Sequence, residues 1–185
     1  GAIISKLVSL GTGDGIKLKN NINEFIQKFS LNKYSTAPVR FEKEVLATVS
    51  RKLLSSLGID EISGLLGSIG VPNEMKEDFW IMAKDNIDAK EELADIWNLC
   101  KDGVNKPVIA PEDEKFIKLA ISLIGEYPRE KDSWQKLTEE LKTLTGRKGK
   151  DLFMPLRSFL TGKKDGPDMK RLFPLMQKIQ KPESS

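Results

Sequence analysis

The residues best suited to chemistry lie near the C-terminus, in the run Gly149-Lys150-Asp151-Leu152-Phe153-Met154-Pro155-Leu156-Arg157-Ser158-Phe159-Leu160-Thr161-Gly162-Lys163-Lys164-Asp165-Gly166-Pro167-Asp168-Met169. A basic loop of Arg147, Lys148 and Lys150 precedes a short helix expected to start near Pro155. Proline is tolerated in a first helical turn, where its missing N–H breaks no intrahelical bond. Arg157 then projects from that turn. A second basic loop, Thr161 to Pro167, opens another helix. An arginine beside two glycine loops and a helix N-terminus can read a base edge while backbone amides hold phosphate. The same residues also make a glycine-punctuated corner between helices, with Arg157 paired to a carboxylate. Both readings stand at this level.

Elsewhere the inventory is thin. The chain has no histidine, which removes Ser-His-Asp and Cys-His nucleophile pairs and histidine metal sites. A single cysteine, Cys100, allows neither an internal disulfide nor a cysteine zinc cluster, and fits a reducing, cytoplasmic setting. Gly11-Thr12-Gly13-Asp14-Gly15 lacks the Lys-Ser/Thr pair of a phosphate loop and reads as a flexible linker. Glu112, Asp113 and Glu114 suit a helix start, where carboxylates complement the helix dipole. Trp80, Trp97 and Trp134 fall on apolar helical stripes and read as core. No catalytic or metal-ligating residue is assigned. The chain reads as a binding module.

Those residues are carried by 185 residues of 20.8 kDa, 39% hydrophobic and 31% charged, a globular balance. The net charge of +3 is unevenly placed. Residues 1–59 hold nine basic against four acidic side chains, a net +5. Residues 60–142 hold eleven against nineteen, a net −8, and residues 143–185 ten against four, a net +6. Basic ends around an acidic middle suit a polyanion partner, because lysine and arginine clusters release counterions from phosphate backbones. Mixed charge that merely solvates a helical surface is the other reading. No run of about 18 apolar residues predicts a membrane span, and Gly1 to Leu10 shows no targeting character.

Helical periodicity dominates, so the predicted class is all-α. Asn21 is expected to cap a helix bearing Phe25, Ile26 and Phe29, with Glu24 as capping-box partner. A longer helix follows from Phe41, then one from Ile59 to Ile69. Another covers Met75 to Lys84, with Phe79, Met82 and Ala83 inward. Asp88 is expected to cap a helix holding Leu93, Ile96, Trp97 and Cys100. Helices near Pro111 and Asp132 bring Phe116, Leu119, Trp134, Leu137, Leu141 and Leu144 into the core.

The C-terminal run resembles the anticodon-binding domain of bacterial-type glutamyl-tRNA synthetases, whose pattern is G-K-x-L-F-x-P-L-R-x-x-L-T-G-x-x-x-G-P. The likeness extends along the chain. Phe79-Trp80 through Asn86-Ile87 to Leu93-Ala94-Asp95-Ile96-Trp97 resembles the family's middle helical segment. Phe25-Ile26-Gln27-Lys28-Phe29-Ser30-Leu31 and Pro38-Val39-Arg40-Phe41 resemble its stem-contact region. Leu7 to Gly11 is similar to its N-Y-L-x-x-L-G stretch. The family's first ATP motif needs two histidines, so the likeness is to the C-terminal portion of such an enzyme.

The resemblance implies right-angled helical bundles in three parts. Residues 1–52 would end the stem-contact domain, 53–99 form a first anticodon-binding subdomain and 100–185 a second. It implies that Arg157, Gly166, Pro167 and Met169 hold anticodon bases. Lys163 and Lys164 are then phosphate contacts. Asn86 aligns with an arginine of glutamate-only members, with Lys84 as the competing position. The implied parent is a glutamate–tRNA ligase that uses ATP and magnesium, neither of them bound by this chain. The implied partners are tRNA(Glu) and, as a second candidate, tRNA(Gln), with no membrane or DNA partner and a monomeric state. A helical protein-interaction module that keeps an ancestral tRNA-binding fold is the alternative.

Overall fold

The computed structural model describes residues 2–17, 19, 21–38, 43–105, 107, 109–127 and 130–179. Among these the architecture is all-α, as the periodicity predicts, and the one β feature is an isolated antiparallel bridge between Thr12 and Tyr34. The chain divides into two compact units, residues 1–64 with 87–92, and residues 65–86 with 93–185. The boundaries implied at 52/53 and 99/100 both fall inside helices, Lys43–Ser55 and Glu92–Asp102.

The first unit contains α1 (Ala2–Ser9), α2 (Ile22–Ile26) and α3 (Lys43–Ser55), and α4 (Ile59–Ser68) begins in it. Asn21 caps α2 as expected, its side-chain oxygen accepting the Asn23 N–H at 2.9 Å. Glu24 does not complete a capping box; its carboxylate pairs with Lys19 instead. The glycine loop after α1 is not a free linker. The Gly11 carbonyl accepts the Ser35 N–H at 2.7 Å, and Tyr34 Oη donates to the Val8 carbonyl at 2.9 Å. Pro38 is described, but Val39-Arg40-Phe41 and the predicted helix start at Phe41 lie outside the described residues.

Asp88 does not cap α6 (Glu92–Asp102). Its carboxylate takes the Arg51 Nε–H at 2.6 Å, while the Glu92 carboxylate accepts the N–H groups of Asp88 at 3.0 Å and Ala89 at 2.8 Å. Glu92 lies on the helix's first turn, where a carboxylate can reach back to orphan amides. The Asp88 carboxylate is engaged by a charged donor instead, and charge-assisted hydrogen bonds are the stronger kind.

The second unit holds the larger core. It is built from α5 (Lys76–Ala83), α6, α7 (Glu114–Ile124), α8 (Ser133–Thr145), α9 (Lys150–Thr161), α10 (Met169–Leu172) and a closing 3-10 turn, Phe173–Leu175. The apolar stripes of these helices supply Phe79, Trp97, Ile117, Leu137, Leu141, Leu152, Leu156, Leu172 and Phe173, all buried. All three tryptophans are buried, as their placement on helical stripes predicts. Trp97 meets Phe79 edge to face at 5.5 Å, and Trp134 meets Phe173 at 5.4 Å. Leu144 departs from expectation and is exposed in the last turn of α8, before left-handed Gly146 ends the helix. Cys100 is buried, and desolvation pushes its thiol up to about 12.

The largest correction concerns α9. It begins at Lys150, not near Pro155, and Pro155 sits in its second turn. A proline there removes the N–H that would bond to the carbonyl four residues earlier, that of Asp151. Arg147 Nη1 takes that role, donating to the Asp151 carbonyl at 3.2 Å. The same guanidinium pairs with the Asp113 carboxylate and donates through Nη2 to the Glu112 carbonyl at 3.2 Å. It lies 4.4 Å above the Phe116 ring. Arg147 is therefore a clamp rather than part of a free basic loop. Among the described residues no acidic or thiol group of three or more is arranged to hold a metal.

Replacing the clamp tests this reading. Arg147→Met keeps the apolar stem but leaves Asp113 and the Asp151 carbonyl without their donor. Unfolding in urea is expected to show a loss of about 1–3 kcal/mol. A change under about 0.5 kcal/mol, the scale of an ordinary surface substitution, contradicts the clamp.

Candidate nucleic-acid interface

Arg157 lies two turns into α9, on a helix whose other face is locked into the core by Leu152, Leu156, Phe159 and Leu160. Among the described residues its side chain pairs with no carboxylate. Nη2 donates to the Pro167 carbonyl at 2.9 Å, which ties the helix to the loop ten residues on. Nη1 is buried and has no hydrogen-bond partner among the described residues. Gly166 lies beside it with φ +122°, and a side-chain carbon there would sit 3.8 Å from Nη1. Glycine adopts that backbone without the steric cost other residues meet.

The loop that Arg157 holds is ordered by its own short contacts. Thr161 Oγ1 lies 2.8 Å from the Arg157 carbonyl and accepts the Lys163 N–H at 3.1 Å. Gly162 ends α9 in the left-handed region with φ +68°, its N–H on the Ser158 carbonyl at 2.9 Å. Asp168 caps α10, accepting the Lys170 N–H at 3.0 Å. Lys163 and Lys164 stand exposed between these anchors, with no ion pair among the described residues. Lys148 and Lys150 are exposed at the other end of α9. The arrangement can donate hydrogen bonds and attract phosphate, and it holds no nucleophile or acid–base pair.

The structure thus joins Arg157, Gly166 and Pro167 directly and sets Lys163 and Lys164 on the same loop. Met169 belongs elsewhere. It opens α10 with only 4% of its surface exposed, packed in the core behind the loop. Asn86 is exposed just after α5, where its Nδ2 donates to the Met82 carbonyl at 3.2 Å and its N–H to Ala83 at 2.9 Å. It finishes a helix, and no hydrogen bond joins it to the Arg157 loop among the described residues. Lys84, the competing position, is the half-buried C-cap of α5.

Two features escaped the sequence reading. Phe153 is 44% exposed and stands one helical turn before Arg157. A groove of about 400 Å³ runs along α9 past Met154, Pro155 and Ser158 to Lys164. Starting α9 at Lys150 would have put Phe153 and Arg157 four residues apart on one face.

No protein-family model matches the chain. It is 40% identical over 179 residues to glutamate–tRNA ligase 2 of Ruegeria sp. (strain TM1040), a match covering 97% of this chain and 40% of that protein. Glutamate–tRNA ligase 1 of Ruegeria pomeroyi is 38% identical over the same shares. The chain therefore spans about 40% of the length of the curated relatives it matches. The crystal structure of glutamate–tRNA synthetase from Elizabethkingia anophelis superposes with a TM-score of 0.71 and 19% identity, over 95% of this chain and 37% of that one. The glutamate tRNA ligase of Elizabethkingia meningosepticum gives 0.72 and 19%, over 95% and 38%. At that identity the likeness is one of fold, and the fold is the all-α one described above.

The two kinds of loop residue are separable by stability. Met169→Ala removes a core side chain and is expected to cost about 2–5 kcal/mol in chemical denaturation. Lys163→Ala should stay within about 0.5 kcal/mol of the unsubstituted chain. A mild effect at Met169 contradicts its place in the core.

Proposed function

We propose that this chain, which corresponds to the C-terminal portion of glutamate–tRNA ligases, reads the anticodon of tRNA(Glu) and orients the tRNA for a longer enzyme. The observation that carries the reading is the Arg157–Pro167 hydrogen bond, with the second guanidinium nitrogen left unpartnered beside Gly166. Nη2 holds the arginine in place. A small shift of Gly166, which has no side chain to move, opens Nη1 to an acceptor on a base edge. Lys163 and Lys164 meet the flanking phosphates, and the released counterions supply sequence-independent affinity. Gly166 and Pro167 shape the loop, and Met169 supports it from the core.

In this reading the three sequence segments, 1–52, 53–99 and 100–185, retain the roles of stem contact, first and second anticodon-binding parts. The longer ligase attaches glutamate to tRNA in the cytoplasm, as a monomer, with ATP and magnesium used by its other part. Among the described residues no helix is long and apolar enough to cross a membrane. The absence of histidine from this chain agrees with a role in recognition rather than chemistry.

Asn86 bears on which tRNAs are charged. The tRNAs for glutamate and glutamine differ at the third anticodon base, cytosine against guanine. A donor-only arginine suits cytosine's acceptors and leaves guanine's donors unpaired. Asn86 is short, uncharged, and engaged with the Met82 carbonyl. The longer ligase carrying it therefore accepts tRNA(Gln) as well.

Binding to RNA at increasing salt tests the main reading. Arg157→Ala should lose about 1–3 kcal/mol of affinity for the anticodon loop of tRNA(Glu). Lys163→Ala and Lys164→Ala should weaken all RNAs alike and lower the salt slope by about one unit each. An Arg157→Ala chain that melts early yet binds normally would make the arginine purely structural. For discrimination, the readout is aminoacylation by the longer ligase: Asn86→Arg should reduce charging of tRNA(Gln). Strict rejection of that tRNA by both forms defeats the assignment.

A further inference from the structure

We infer that Phe153 is a stacking platform for one unpaired nucleobase, an inference that rests on the RNA-binding reading above and adds a subsite to it. Among the described residues of the second unit, every other phenylalanine and tryptophan is buried, whereas Phe153 is 44% exposed. A lone exposed apolar side chain needs no explanation in itself. Its placement does. One side of the ring packs toward Trp134, with centroids 6.4 Å apart at 36°, while the rest of it faces outward.

Phe153 and Arg157 are four residues apart on α9, which puts them on one face about 6 Å apart along the axis. Lys150 lies three residues before Phe153 on the same stripe, with Lys148 just beyond it, and both are exposed. Lys163 and Lys164 stand past the other end of the helix. The ring is thus an apolar plane with cations at both ends, and that charge pattern selects a nucleic acid over an apolar protein knob. A base presents a flat face to the ring while its neighbouring phosphates reach the lysines. Because every base has such a face, this subsite contributes affinity with little sequence preference, and Arg157 supplies the reading next to it.

The test uses the 185-residue chain and a synthetic RNA hairpin carrying the anticodon loop of tRNA(Glu), with 2-aminopurine placed at each loop position in turn. One position should change its fluorescence on binding. Phe153→Leu, which keeps an apolar body against Trp134, should remove that change and weaken binding about tenfold with the salt slope intact. Phe153→Tyr should preserve both signal and affinity, which guards against a folding defect in the leucine form. Equal affinity and signal for the leucine form, or their loss in the tyrosine form, overturns the platform alone. No salt-dependent RNA binding by the unsubstituted chain overturns both the platform and the proposed function.

Discussion

A guanidinium stands in for a missing amide in α9, and the geometry of the candidate site depends on that substitution. Pro155 interrupts the helical hydrogen-bond ladder, which on its own would end or kink the helix. Arg147 fills the vacancy at Asp151 while pairing with Asp113 and covering Phe116. With that cost met, α9 runs unbroken from Lys150 to Thr161. Phe153 and Arg157 then share one rigid rod, and their spacing is set by helix geometry rather than by a loop.

The rod ends where a loop must be held in a single shape. Gly162 and Gly166 take backbone angles that side chains resist, and Thr161 and Asp168 satisfy amides on either side. Arg157 closes the loop by one hydrogen bond and leaves a donor in reserve. An unpartnered buried donor is costly in the free chain. In the proposed reading a ligand that supplies an acceptor relieves this cost, so one side chain provides order through Nη2 and recognition through Nη1.

Charge follows the same division. Several acidic side chains between residues 60 and 142 are paired locally, Asp88 with Arg51, Glu114 with Lys118 and Asp132 with Lys136. Such exposed pairs add little stability, and residues 60–142 keep their net −8. In Asp132 and Glu114 the neighbouring lysine also lowers the carboxyl's titration range. Lys163 and Lys164 form no ion pair among the described residues.

The amino-acid sequence by itself determined the helical class, the buried tryptophans and the Arg157 run, because 3.6-residue periodicity and motif spacing are local properties. It could not determine where α9 begins. That depends on Arg147 meeting Asp113, thirty-four residues away, and local rules for proline place the helix start five residues too late. The same limit misplaced the α6 cap, since Asp88 is claimed by Arg51 from another helix. Met169 looked like a contact residue by its place in the motif, yet packing buries it behind the loop. Phe153 drew no separate reading from its place in the motif, and the outward face of α9 leaves it 44% exposed. Periodicity says that a side chain lies on a helix face; only the neighbouring helices decide which face is covered, and so which residues a partner can touch.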